Sequence, residues 1–91
     1  MILHQNAYLE FITRRGVGSN DVVASSTDSY ISYLNSVSEL LNEDITPQLL
    51  RSETDVTNIA KRLKGKRADK TIKNYCSAIR QYVAMVEANG L

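Results

Sequence analysis

The stretch TDSYISYLNSVSELLN, residues 27–42, decides the fold class. Its apolar side chains recur at Tyr30, Leu34, Val37 and Leu41, at spacings of four, three and four residues. This spacing places them on one side of an α-helix, with polar residues on the other side. The stretch therefore predicts an amphipathic helix over about residues 27–42 that packs on other helices.

The chain downstream of this stretch keeps the helical period. Thr46-Pro47 predicts a short turn that runs to residue 50. Ser52 and Asp55 form a capping pattern for a helix that ends at Lys64-Gly65, where glycine permits a left-handed stop. We predict a last helix over about residues 70–88, capped by Asp69 and ended by Asn89-Gly90. Its predicted buried face consists of Ile72, Tyr75, Cys76, Ile79, Val83 and Val86, with Tyr82 at the margin.

The chain upstream predicts a first helix and a connector. Apolar residues cover more than half of the wheel over residues 2–15, so we expect this helix to be mostly enclosed. The run GVGSNDVVA, residues 16–24, reads as a flexible connector, and hydroxyls at 25–27 suit a helix cap. A phosphate-binding loop at Gly16-Val17-Gly18 is disfavoured because no strand precedes it and no Walker lysine follows.

The expected fold is all-α, a single domain over residues 1–91 that forms a compact bundle of four principal helices and a short turn. Apolar residues at 43% and charged residues at 23% are typical of a folded globular protein. No apolar run approaches the roughly 18 residues of a membrane span, and residues 1–4 lack a basic signal opening. We therefore expect a cytoplasmic protein without membrane contact.

Catalytic and metal chemistry is disfavoured by residue counts. The only cysteine is Cys76 and the only histidine is His4, so a disulfide framework and a zinc site are both excluded. No Ser/His/Asp set is present in a plausible order. We expect no catalytic residue, no metal and no cofactor, with Cys76 in the core and His4 as an ordinary surface or packing residue.

The charge distribution is uneven although the formal net charge is only +1. Residues 1–60 carry three basic and eight acidic side chains, a balance of −5, whereas residues 61–73 carry seven basic and one acidic, a balance of +6. On a helical wheel, Lys70, Lys73, Ser77 and Arg80 share one sector of the last helix, beside the apolar stripe. Basic side chains neutralise DNA phosphates and release counterions. The predicted phosphate contacts are Lys61, Arg62, Lys64, Lys66, Arg67, Lys70, Lys73, Ser77 and Arg80.

Two less specific interpretations of the surface stay open. The basic run can simply solvate an exposed loop, although the segregation of the acids disfavours this. Asn74, Gln81 and Arg80 are candidates for contacts to base edges. Three tyrosines are candidates for stacking on a nucleotide or anchoring a protein contact, although filling the edge of the core is the commoner use of such residues: Tyr8, Tyr33 and Tyr82.

A family resemblance rests on residues in two helices. Ser26-Thr27 with Tyr30 and Leu34 open one helix, and KTIKNY, residues 70–75, leads through AIR, 78–80, to NGL, 89–91. Over about residues 25–91 this pattern resembles the core-binding domain of tyrosine recombinases of the phage-integrase type. The resemblance implies a SAM-like helical bundle that lies across one face of double-stranded DNA during recombination or integration. A separate catalytic domain would close the clamp.

The resemblance also implies roles for single residues. Thr27 and Tyr30 match the opening helix, while Thr71, Lys73 and Arg80 lie in the helix that usually carries backbone contacts, which adds Thr71 to the predicted DNA-binding residues. The arginine, lysine, histidine and nucleophilic tyrosine of the family's catalytic domain have no counterpart here. The implied protein is a fragment or a stand-alone relative that binds DNA without cutting it.

Two alternatives compete with this expectation. Residues 29–37, SYISYLNSV, and 77–83, SAIRQYV, also resemble the helical leader found before HNH-type and modification-dependent restriction endonucleases. That likeness implies a DNA-targeting leader. The charge distribution alone equally suits a protein-interaction or self-assembly module, in which the basic residues dock an acidic partner or the acidic part of a second copy.

Overall fold

The first three helices pack around the fourth. The computed structural model describes residues 1–15 and 27–91, and its helices are α1 (Gln5–Arg15), α2 (Thr27–Leu41), α3 (Glu53–Leu63) and α4 (Asp69–Asn89). With 21 residues, α4 is the longest helix of the described residues, at about 31 Å. The other three helices all contact α4, and α2 also contacts α1 and α3.

The predicted all-α class is confirmed. The described residues contain no β-strand, and their only β-type contacts are isolated bridges from Ile2 to Ile45 and from Lys64 to Arg67. No helix in the described ranges is long and apolar enough to cross a bilayer. The predicted connector over residues 16–24 and the capping hydroxyls at 25 and 26 lie outside the described residues.

The apolar stripe of α2 forms the centre of the core, as its spacing predicts. Leu34 and Val37 are fully buried, and Tyr30 and Leu41 are nearly so. The predicted buried face of α4 is also confirmed, but it is wider than expected because three further residues are fully buried: Ala78, Tyr82 and Met85. The buried face therefore takes up about half of the circumference of α4.

The N-terminal segment differs from the sequence prediction in two ways. Residues 2–4 are not helical, because the Leu3 N–H donates to the Ile45 carbonyl at 2.8 Å and the Ile45 N–H donates to the Met1 carbonyl at 2.9 Å. The helix begins only after His4, whose φ is +58°. The expectation that α1 is mostly enclosed was also wrong, since Tyr8 and Ile12 are the only buried side chains among residues 5–14.

The predicted turn and stops are confirmed, Ser52 lies at the N-cap of α3 as predicted, and the predicted Asp69 cap of α4 is wrong. The Leu49 N–H donates to Thr46 Oγ1 at 3.1 Å, which fixes the short turn after α2. Gly65 and Gly90 follow α3 and α4 with φ of +86° and +67°. Ser52 occupies the N-cap of α3 without a side-chain cap bond, and Asp55 instead accepts from the Arg51 N–H at 2.8 Å. The N-cap of α4 is Ala68, so Asp69 is the first residue of the helix and not its cap.

Tyr8 and Tyr82, for which the sequence left open an external contact or a place at the core edge, lie in the core. Tyr8 and Tyr82 are both fully buried, with ring centroids 5.6 Å apart. The Tyr8 hydroxyl donates to the Ala78 carbonyl at 2.9 Å, and the Tyr82 hydroxyl donates to the Leu3 carbonyl at 2.8 Å. Burial raises the pKa of Tyr8 well above its usual value and that of Tyr82 to about 12. These hydrogen bonds satisfy the hydroxyls and join the N-terminal part of the chain to α4.

Candidate nucleic-acid interface

Helices α3 and α4 form an antiparallel hairpin that carries the predicted basic residues. Glu53, the first residue of α3, meets Arg80 of α4, with Glu53 Oε1 3.0 Å from Arg80 Nε. Arg80 lies 11 residues, or about 16 Å, into α4, which equals the length of the 11-residue α3. The two helices therefore run side by side in opposite directions, joined by residues 64–68.

The connector between the helices is a tight turn that is itself basic. The Lys64 N–H donates to the Ala60 carbonyl at 3.1 Å and the Lys66 N–H donates to the Leu63 carbonyl at 2.9 Å. Gly65 supplies the left-handed residue that this reversal requires. A backbone bridge joins Lys64 to Arg67. The end of α3 and the start of α4 are thus held next to each other, so the basic side chains of residues 61–70 lie at this end of the hairpin, whereas Arg80 lies near the opposite end.

Eight basic side chains on this hairpin are solvent-exposed, and we call them the basic edge. They are Lys61, Arg62, Lys64, Lys66, Arg67, Lys70, Lys73 and Arg80. Six of them, all except Arg62 and Arg80, form no ion pair with any described residue. Arg67 Nη1 donates to the carbonyl of Lys66 at 2.7 Å, which still leaves its charge uncompensated. With Asp69 as the only acid among them, these six cations leave a local charge of +5.

The two remaining arginines of the basic edge are paired with carboxylates. Arg62 Nη2 lies 2.5 Å from Glu43 Oε2, in the segment after α2. Arg80 Nε lies 3.0 Å from Glu53 Oε1. All four side chains are 45–66% exposed, so these are surface ion pairs. Such pairs are worth about 0–1 kcal/mol and are screened by salt.

The basic side chains of α4 lie on its exposed side. Lys70, Lys73 and Arg80 were expected beside the apolar stripe. Arg80 lies about 40° around the helix from the buried Cys76, so it borders the buried face. Burial raises the pKa of the Cys76 thiol, and the nearby charge of Arg80 acts in the opposite direction. Lys70, Lys73 and Arg80 are all exposed to solvent.

Two hydroxyl residues complete the predicted set. Thr71 and Ser77 are both half-buried. Ser77 Oγ donates to the Lys73 carbonyl at 3.3 Å, so its proton is used within the helix. Thr71 lies in the first turn of α4, where the backbone N–H groups of residues 69–71 have no partner within the helix and no side-chain cap. The positive end of the α4 dipole thus adds to the field of the neighbouring lysines.

Groups that read or stack on bases are scarce at this surface. Asn74 is exposed, but Gln81 is half-buried and its Oε1 is buried without a hydrogen-bond partner. Tyr33 is half-buried, with its ring 6.0 Å from that of Tyr30 and 5.7 Å from that of Tyr75. The geometry therefore favours contacts to the phosphate backbone over contacts to bases.

Other parts of the described chain offer little chemistry. No group of three or more potential metal ligands occurs within residues 1–15 and 27–91. Cys76 is buried, and this burial raises the pKa of its thiol, as expected for a small core residue. His4 is exposed and borders a groove of about 460 Å³ between α1 and the end of α4, which is also lined by Ala7, Glu10, Phe11, Arg14, Asn89 and Leu91.

Comparison of the chain with protein-family models, with curated proteins and with solved structures gives no match.

Proposed function

We propose that the chain is a DNA-binding helical module that grips the phosphates of double-stranded DNA through its basic edge. In this role it resembles the core-binding domain of tyrosine recombinases, and it supplies positioning without catalytic residues of its own. The observation that carries the proposal is the set of six exposed cations on one hairpin that pair with no carboxylate of the described residues, with a local charge of +5. Cutting or strand exchange belongs to another domain or subunit.

The physical argument is electrostatic. A double helix carries one negative charge per about 1.7 Å of its axis, and a protein that neutralises phosphates releases the counterions condensed there. About five neutralised phosphates correspond to a slope near −4.5 in a plot of log affinity against log salt concentration. Uncompensated cations gain more from such contacts than cations already paired with carboxylates. The six side chains without an ion pair to a described residue are therefore the main contributors to the proposed binding.

The decisive experiment compares two variants of equal net charge. Lys70→Glu/Lys73→Glu reverses two cations of the basic edge, and Arg14→Glu/Arg51→Glu reverses two cations outside it. Loss of two phosphate contacts lowers affinity about 60-fold at 0.1 M salt and makes the salt slope shallower by about 1.8. We expect this loss in the first variant and a much smaller one in the control, measured by fluorescence anisotropy with a labelled random duplex.

Folding must be checked in the same samples. All four substituted residues are exposed, so the circular dichroism spectra of both variants should match that of the wild type. Equal affinity of the two variants for the duplex would refute the assignment of the site. A wild-type protein that does not bind the duplex at low salt would refute the function.

Self-assembly is the second candidate, and the segregation of charge favours it. Glu10, Asp28, Glu39 and Asp44 are exposed on elements other than the hairpin. A second copy could present these carboxylates to the basic edge in a head-to-tail contact. Sedimentation of the protein alone at low and moderate salt separates the two candidates. If the protein forms salt-sensitive oligomers and does not bind the duplex, the basic edge binds a second copy of the protein and not DNA.

A further inference from the structure

Two arginines of the basic edge are held by carboxylates that come from distant parts of the chain. Glu53 lies 27 residues before Arg80, and Glu43 lies 19 residues before Arg62. The first pair lies at the end of the hairpin that is remote from the connector, and the second lies beside the last turn of α3. Both carboxylates thus occupy positions along the edge where a phosphate would otherwise meet an arginine.

In each pair the arginine contacts its carboxylate through only one of its nitrogen atoms. Arg80 contacts Glu53 through Nε alone, and Arg62 contacts Glu43 through Nη2 alone. A guanidinium group has five N–H donors and binds phosphate or carboxylate best through two of them at once. Single contacts between exposed side chains are readily exchanged with solvent or with another anion.

We propose that Glu53 and Glu43 compete with DNA phosphates for Arg80 and Arg62, so that each ion pair is a latent phosphate position. This inference rests on the proposed function. In the free protein each arginine is neutralised by its own carboxylate. On DNA the arginine reaches a phosphate only after the carboxylate has been displaced, and the displaced carboxylate then repels the same backbone.

If these two arginines stay paired, the protein contacts a shorter length of DNA than its number of cations suggests. Arg80 lies seven residues beyond Lys73 in α4, about 10 Å further along the helix. That distance corresponds to about three base pairs of axial rise. While Glu53 holds Arg80, the contact is centred on the connector and the first turns of α4. Release of Arg80 extends it along the helix.

The test is neutralisation of the competing carboxylate. Glu53→Gln removes the charge with little change of shape, and Glu10→Gln is the matched control because Glu10 forms an exposed pair with Arg14 on α1, within one helix. One additional phosphate contact raises affinity about 8-fold at 0.1 M salt and steepens the salt slope by about 0.9. We expect Glu53→Gln to bind a random duplex 3- to 8-fold more tightly, and Glu10→Gln to stay within about 1.5-fold of the wild type.

A double-mutant cycle separates a released arginine from a general loss of negative charge. Arg80→Gln should change affinity less than about 2-fold in the wild-type protein, but should abolish the gain in the Glu53→Gln background. A gain that survives Arg80→Gln would overturn the inference. So would equal affinities of Glu53→Gln and Glu10→Gln.

A second pair keeps the inference testable if Glu53→Gln fails to fold. Glu43→Gln should give the same increase in affinity and slope, and Arg62→Gln should cancel it. The lysine reversal variant is measured alongside. If Lys70→Glu/Lys73→Glu weakens binding while neither glutamate variant strengthens it, the proposed function stands and the competition is refuted. If the lysine reversal has no effect, both are refuted.

Discussion

Replacing Tyr8 by phenylalanine removes a single oxygen atom from the middle of the bundle. That oxygen is 2.9 Å from the Ala78 carbonyl, and the Tyr8 side chain is fully buried. The ring, its contact with Tyr82 and the volume of the core are all retained. The carbonyl of Ala78 keeps its partner within α4. The change therefore measures one buried hydrogen bond between α1 and α4.

The expected loss of stability follows from this geometry. A buried neutral hydrogen bond contributes about 1 kcal/mol net, within a range of about 0.5–1.5 kcal/mol. In a domain of this size, 1 kcal/mol lowers the melting temperature by about 4–8 °C. Urea titration followed by circular dichroism should show a lower midpoint with an unchanged slope, because the surface exposed on unfolding is the same.

Tyr33→Phe is the matched control for this prediction. The Tyr33 side chain is half-buried, its hydroxyl forms no hydrogen bond with a described residue, and its ring contacts with Tyr30 and Tyr75 persist in phenylalanine. We expect a change of stability within about 0.5 kcal/mol. If Tyr8→Phe and Tyr33→Phe have the same urea midpoint, the hydrogen bond from Tyr8 to Ala78 does not contribute to stability, and only apolar contacts hold α1 against α4.

Two further predictions concern the connector and alkaline pH. Gly65→Ala places a side chain at φ +86° with no atom within 4 Å of the new Cβ, so it should destabilise the protein by backbone strain alone, by about 1–2 kcal/mol. Gly65→Asn should destabilise it less, and thermal unfolding measures both variants. Equal stability of Gly65→Ala and the wild type would contradict the left-handed turn. Burial raises the pKa of Tyr82 to about 12, whereas an unfolded tyrosine titrates near 10, so the unfolded chain releases a proton that the folded chain keeps. The contribution of Tyr82 is thus fully present below pH 10 and is lost as pH rises toward 12. Urea midpoints between pH 9 and 12 should fall less steeply in Tyr82→Phe than in the wild type, and parallel curves would count against this cause.

The sequence predicted the helices well because their signals are local. The spacing of Tyr30, Leu34, Val37 and Leu41 depends only on the period of one helix, and all four are buried. Gly65 and Gly90 end their helices because glycine tolerates positive φ, which is again a property of one residue. These elements required no knowledge of the neighbouring chain.

The errors have a long-range origin. Ile2 continues the apolar pattern of α1, yet it pairs with Ile45, a contact between residues 43 positions apart. Tyr82 lies at the margin of its own apolar stripe, and it is buried because Tyr8 of α1 covers it. The width of a buried face depends on how many helices pack around it, and the pattern within α4 carries no information about α1.

The candidate site was only partly accessible from the sequence. The run of basic residues is contiguous, so its exposure and its place on one hairpin follow from local arguments. The pairing of Glu53 with Arg80 was missed, although one signal was present: α3 has 11 residues, and Arg80 lies 11 residues into α4. An antiparallel hairpin with a short connector brings those positions together. The pairing of Glu43 with Arg62 had no comparable signal, since Glu43 belongs to an irregular segment.

The same arrangement limits what kind of recognition the proposed module achieves. Six of its cations are long side chains that pair with no carboxylate in the described ranges, so they can locate the phosphate backbone without fixing which bases lie between. Asn74 is the one exposed amide near them on the described part of α4, and a single bidentate contact to a base is worth about 1–3 kcal/mol of discrimination. Phosphate contacts, by contrast, are equally available on every sequence. Under the proposed function, this hairpin therefore sets the affinity for DNA and its dependence on salt, and contributes little to sequence selectivity.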